Sequence, residues 1–327
     1  MTKIKYYFKK FINNPWHSIK VFFRILKRYW MPVYELPSRI IFGNTIGYTI
    51  NISSRVRHFQ RPRTFQNEFL KNKVPDEVLN DAEQLKKQGI LIYQTSDERR
   101  DSLGFLSNQL KLIYEDERQH ITIENRWKQM IRDPIASIPE YKKIFPMDAV
   151  DVIRRYYQCD FNIMSLQIWR NFGLEIQEEK KYTKDVISNT LHHDRTPLFG
   201  LRIFVLLQDV EKVNGPFRYL SKKLSKKNIR SLKFWHREIN TQKNIKELND
   251  QTKPFEGSIG DYAIVNTQEC LHGATIPTAG HSRDMAQFYI EPDYKSTKLK
   301  NFNELMKIGE DWEMVKLKKH EEDGREV

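Results

Sequence analysis

The sequence predicts an α+β chain: helices through its first half, then a series of short strands forming a β-sandwich or jelly-roll barrel, all preceded by a basic amphipathic helical arm. Helical spacing of apolar residues is concentrated before residue 160, whereas short apolar runs separated by Gly, Pro and Asn turns follow it. Positive charge, in turn, is confined to the N-terminal end. Of 55 Lys and Arg, 15 fall in residues 1–73, against two of the 42 acids, Glu35 and Glu68, so the rest of the chain holds 40 of each.

The 327 residues suffice for one large domain or two ordinary ones, and 39% hydrophobic with 30% charged residues is a soluble globular balance. No apolar run approaches the ~18 residues of a membrane span. A catalytic domain that gripped nucleic acid would carry its own basic surface, and the balanced 74–327 region argues against that partner. Two cysteines, Cys159 and Cys270, are too few for a disulfide framework or a thiolate metal site; buried free thiols in a reducing compartment are expected.

In the arm, Ile4, Tyr7, Phe8, Phe11 and Ile12 share one helical face, with Lys3, Lys5, Lys9 and Lys10 elsewhere on the turn. Asn14-Pro15 interrupts it. Trp16, Ile19, Phe23, Leu26 and Trp30 then form a second face among Lys20, Arg24, Lys27 and Arg28. Two readings stand: residues 1–30 lie on an anionic membrane surface, or the aromatics pack on the domain's own flank. No continuous apolar segment follows the charges, so a secretory signal is not expected, and the Lys-rich arm is unlike an Arg- and Ser-rich presequence. The expectation is a cytoplasmic protein, peripheral to a membrane where the arm engages one.

Residues 31–73 read as an irregular connection. Pro75-Asp76-Glu77 opens a helix carrying Val78, Leu79, Ala82 and Leu85, and Gly89 stops it. Ile90–Tyr93 is a short strand. Residues 97–158 read as mostly helical, with Trp127, Met130, Ile131, Ile135 and Ile138 supplying apolar contacts. Strands are predicted over 163–169, 199–210, 262–266 and 285–290, with turns at Asn214-Gly215-Pro216 and Gly257–Asp261 and a helix-rich basic insertion over 222–237. The last thirty residues read as a helix and a loose charged end. Three segments follow: an arm and connection over 1–74, a domain over 75–294 and a tail over 295–327.

Chemistry concentrates in Leu191-His192-His193-Asp194-Arg195. His192 and Asp194 are two apart, so on a strand they share one face, and His272 after a later strand closes a three-ligand set. Two imidazoles and one carboxylate suit non-haem Fe(II). Chance supplies about one H-x-[DE] in a chain of this composition, and three occur: His192-x-Asp194, His236-x-Glu238 and His320-x-Glu322. The last lies in a charged tail, and the second has no strand pattern around it. Only the first leads into an apolar run, Phe199-Gly200-Leu201-Arg202-Ile203-Phe204-Val205-Leu206-Leu207, which reads as a buried strand.

From about Pro75 to Asp293 the chain resembles the phytanoyl-CoA dioxygenase family of Fe(II)- and 2-oxoglutarate-dependent oxygenases. The resemblance lies in the helix-Gly-strand opening Lys86–Ile92, His192-x-Asp194, Asp209 with Asn214-Gly215-Pro216, Gly260-Asp261, His272-Gly273, and Arg283 eleven residues beyond His272. It implies a double-stranded β-helix of the jelly-roll or cupin type, flanked by helices. It also implies iron on His192, Asp194 and His272, and 2-oxoglutarate held through its distal carboxylate by Arg283, with Gln167 as a further donor. Dioxygen and a small or lipid-linked metabolite would complete the reactants, giving a hydroxylated product, succinate and CO2. A carboxylate at Asp194, where related halogenases carry a small residue, implies oxygenation, desaturation or cyclisation over halogen transfer.

The other reading of Arg283 is a surface ion pair with Asp284; His193 is expected to face away from the ion. The sequence departs from the family after Phe217, where Arg218–Leu224 replaces a Pro-Gly-Ser-His segment. Two alternatives remain open: a non-catalytic binding or scaffold protein, and a cupin-like hydrolase or isomerase using Zn or Mn.

Overall fold

In a computed structural model, the structure describes residues 73–123, 128–173, 191–194, 200–231, 248–294 and 296–308. The basic arm, Trp127, His236, His320 and the charged end lie outside them. Among the described residues no helix is long and apolar enough to cross a membrane.

The helices and strands run α1 (Asp76–Gln88), β1 (Ile90–Tyr93), α2 (Asp97–Ser102), α3 (Phe105–Glu115), β2 (His120–Ile123), β3 (Lys128–Ile131), α4 (Pro134–Ser137), α5 (Ala149–Tyr157) and β4 (Asp160–Phe172). Then follow β5 (Leu201–Leu206), β6 (Phe217–Tyr219), α6 (Lys222–Ser231), β7 (Lys253–Phe255), β8 (Tyr262–Val265), β9 (His272–Ala274), β10 (Ser282–Asp293) and α7 (Phe302–Leu305).

Seven strands form one sheet in the order β1-β8-β5-β10-β4-β3-β2, and three form a second, β7-β6-β9, with antiparallel pairing throughout. Alternation along each strand assigns its two faces. Ile203, Val205, Ile264, Ala286, Phe288, Leu166 and Ile168 point to the outer side, where Leu85, Leu106, Leu110, Ile153 and Tyr156 from the helices bury them. Phe204, Leu206, Val265, Met285 and Trp169 point inward to Phe217 and Phe255 of the small sheet. Phe204 and Phe217 bring their rings to 4.6 Å across the gap. The result is a double-stranded β-helix, with helices on its outer face and a lined space between its two sheets.

Several expectations change. Residues 120–123 and 128–131 are paired antiparallel strands, not helix: β2 and β3 extend the large sheet past β4, placing Met130 opposite Trp169. The alternating Ile121 and Ile123 are the signal, masked in the sequence by the charged run Glu115–Arg118 before them. Leu191–Asp194 is not a regular strand. His192 makes a single antiparallel bridge to His272, after which the Asp194 amide leaves the ladder and donates to the Thr267 carbonyl at 2.9 Å. β4 and β10 run longer than expected, at 13 and 12 residues, because each pairs with the other almost end to end.

Candidate metal centre

His192 and His272 exchange both backbone hydrogen bonds, at 2.8 and 2.9 Å, forming a bonded antiparallel pair whose side chains leave the same face. Their ring centroids are 4.4 Å apart. Asp194, two residues on, returns to that face, and its Oδ1 lies 4.0 Å from Nε2 of His192 and 3.9 Å from Nε2 of His272. One donor atom from each of the three falls within 4.8 Å of the others. Small side-chain rotations would gather them on one ion.

The imidazole of His272 is oriented by its own turn. Nδ1 lies 3.0 Å from the Cys270 carbonyl, which can only accept, so Nδ1 carries the proton and Nε2 turns its lone pair toward Asp194. Burial and the neighbouring His192 ring push the His272 pKa down to about 3 despite the opposing pull of Asp194, so the ring is neutral and ready to ligate. Burial alone would raise the Asp194 pKa. The guanidinium of Arg202, the two histidines and a hydrogen bond from Thr267 outweigh it, and the carboxyl is held well below the usual range. Arg202 Nε donates to Asp194 Oδ2 at 2.8 Å, leaving Oδ1 to face the imidazoles.

The turn before β9 is itself anchored. Glu269, buried, pairs with Lys222 at 2.6 Å and accepts from Asn266 at 3.1 Å, while the Leu271 amide donates to Ser225 Oγ at 2.8 Å. These α6 contacts and those of Asn266 fix where His272 starts its strand. Cys270 is a buried thiol, pushed up by burial and set against the Gln88 carbonyl, as its plain reading expected.

Arg283, near the start of β10, is 2% exposed. Its Nη2 donates to Asn171 Oδ1 at 2.7 Å and its Nη1 reaches the Thr275 carbonyl at 3.5 Å, but its enclosed Nε has no partner, and no carboxylate pairs with it among the described residues. Burial pushes its pKa down to about 9. Asp284, on the opposite face of the strand, is instead held by Arg170 in a two-toothed pair at 2.7 and 2.6 Å, which removes the surface ion-pair reading of Arg283. Gln167 lies on the inner face of β4 directly across from Gln287, which donates to its Oε1 at 3.3 Å. His193 is buried.

Sequence reasoning missed Arg202, Asn171, Thr267 and the α6 anchor. Arg202 had a signal: it is the one charge in the apolar run 199–207, eight residues after Asp194. The others had none, since an Asn on a strand and a Thr in a turn are unremarkable in type.

No family model matches the chain, and no curated protein matches it. Solved structures do. The non-heme alpha ketoglutarate dependent epimerase SnoN from nogalamycin biosynthesis aligns over 69% of this chain and 88% of its own at 14% identity, with a TM-score of 0.48. The carbocyclase SnoK of the same biosynthesis, also alpha ketoglutarate dependent, aligns over 75% and 91% at 13% identity and 0.48. EctD from S. alaskensis, determined with 2-oxoglutarate and 5-hydroxyectoine, aligns over 73% and 88% at 14% identity and 0.45.

Proposed function

We propose that this chain is an Fe(II)- and 2-oxoglutarate-dependent oxygenase of the phytanoyl-CoA dioxygenase type, hydroxylating a small or lipid-linked metabolite. The observation that carries it is the enclosed guanidinium of Arg283, which has no carboxylate partner among the described residues, in a domain that also gathers two imidazoles and a carboxylate. A buried cation without a counter-ion is unfavourable unless a ligand supplies one. Arg283 reaches the carbonyl of Thr275, three residues from His272, or about 10 Å along an extended chain.

The donor set fits the ion: His192, Asp194 and His272 would hold it, three ligands that leave its other positions open. Arg283, oriented by Asn171 and Thr275, would take the distal carboxylate as a planar two-toothed donor, with Gln167 as a further polar group on that wall. When bound, the ferrous ion and 2-oxoglutarate supply oxygen activation, with succinate and CO2 as by-products. Phe204, Phe217, Trp169 and Met285 line the space with apolar surface that excludes water from the charged pairs and strengthens them. A Zn or Mn hydrolase would leave Arg283 without a role, and a scaffold would leave both Arg283 and the triad without one.

Adding Fe(II) and 2-oxoglutarate without oxygen should produce a visible charge-transfer band in the wild type and none in His192→Ala. In Arg283→Gln the band should need about a hundredfold more 2-oxoglutarate. A wild type that forms no band and binds no 2-oxoglutarate by calorimetry defeats the proposal.

A further inference from the structure

We infer that Arg202 recognises the primary substrate, and that the group it takes is an oxyanion, either a carboxylate or a phosphate ester. This rests on the oxygenase reading above. Arg202 stands on the inner face of β5, opposite Tyr289 of β10 and two residues from Phe204. Its guanidinium is held on two sides: Nε donates to Asp194 Oδ2 at 2.8 Å, and the plane's central carbon lies 4.9 Å from the centroid of the Tyr289 ring. Gly200 makes room for that ring, since a Cβ there would lie 2.3 Å from a ring carbon. A guanidinium fixed at one edge and over one ring loses little freedom when it binds.

Its two Nη nitrogens are uncommitted. They hydrogen-bond to nothing among the described residues, and unlike Nε of Arg283 they are not enclosed, the side chain keeping 15% of its surface. The remaining fork therefore presents two parallel donors beside the metal ligands, the geometry that matches a carboxylate or phosphate. Arg283 differs in place and in burial, and is left to the cosubstrate.

Charge at this corner points the same way. A divalent ion on the triad would bring two positive charges, Arg202 one more, and Asp194 a single negative one. The chelating carboxylate of 2-oxoglutarate removes one, so the pocket stays positive and favours an anionic guest. Of the other buried acids among the described residues, Glu269 and Asp284 are committed to Lys222 and Arg170, each at 2.6 Å, Asp160 to Arg154 at 3.1 Å, and Asp261 accepts from the Thr95 and Ser258 amides.

The test uses full-length protein loaded with Ni(II) and 2-oxoglutarate, with acetate, inorganic phosphate and neutral acetamide as probes, followed by calorimetry and thermal stabilisation. The wild type is expected to bind acetate or phosphate saturably and to ignore acetamide. At Ni(II) and 2-oxoglutarate concentrations that saturate each variant, Arg202→Gln should weaken oxyanion binding about tenfold or more, and Arg202→Lys should retain part of it. Equal oxyanion binding by wild type and Arg202→Gln, or none by the wild type, overturns the assignment. So does a loss of 2-oxoglutarate affinity in Arg202→Gln with Ni(II) affinity unchanged, because Arg202 would then serve the cosubstrate. A wild type that takes up neither nickel nor 2-oxoglutarate sinks the oxygenase reading itself, a result distinct from a loaded protein indifferent to both oxyanions.

Discussion

A guanidinium enclosed without a carboxylate weakens the fold that holds it, and among the described residues Arg283 has no such partner. Its hydrogen bonds to Asn171 and Thr275 recover part of the desolvation penalty, while Nε recovers none. Arg283→Met should therefore stabilise the ligand-free protein by about 1–3 kcal/mol, read from urea unfolding, while abolishing the rise in melting temperature that 2-oxoglutarate gives the metal-loaded wild type. A variant less stable than wild type would mean that the two hydrogen bonds outweigh the buried charge. The candidate ligands were legible in the sequence because histidine is scarce and the spacing is constrained: His192, Asp194 and His272 could be named before any fold was known, whereas Arg283 came from the family resemblance. Arg202 was not legible, because a strand read as buried leaves no visible use for a cation. Only the contact with Asp194 shows why it is there.

Between elements, the least tolerant junction joins α1, β1 and the turn before His272. Gly89 has φ +75°, its amide caps α1 on the Leu85 carbonyl at 2.8 Å, and its own carbonyl accepts from Asn266 at 2.8 Å. A Cβ at Gly89 would stand 2.5 Å from Sγ of Cys270, two residues before the metal-site histidine. Gly89→Ala should cost about 1–2 kcal/mol for the left-handed backbone alone, and about 2–4 kcal/mol once the thiol must move. Adding Cys270→Ala should return part of that loss, a coupling that a double-mutant cycle in urea measures; strictly additive costs would show that the two do not meet. The glycine, the acidic first turn of α1 and the long apolar strands were plain in the sequence because each follows a local rule. The β2–β3 pair and the three-residue strands β6 and β7 were not. Three residues hold too little of a period to reveal it, and those strands exist because the large sheet offers Phe217 and Phe255 an apolar face to cover.

Across the whole molecule, charge is divided as sharply as structure. Residues 1–73 carry 15 basic side chains and two acids, whereas the remaining 254 residues hold 40 of each. Packing of the described domain continues through Leu305, with the Lys300 amide and ammonium tied to Asp160 and Asp293, both at 2.6 Å. An arm with aromatic residues at helical spacing and this excess of lysine and arginine suits the surface of an anionic bilayer, where each basic side chain near the lipid contributes about 1 kcal/mol. The balanced remainder gains nothing from such a surface. Full-length protein should accordingly sediment with phosphatidylserine-containing vesicles and not with neutral ones, and added salt should release it as the attraction is screened. A shortened chain beginning at Lys73 should stay in the supernatant with either vesicle. If the two chains pellet equally, attraction resides in the folded domain, and the aromatic faces of the arm are left to pack against protein. If the prediction holds, the proposed oxygenase site is delivered to a membrane surface, and lipid-linked acids become the first substrates to try against the Arg202 fork.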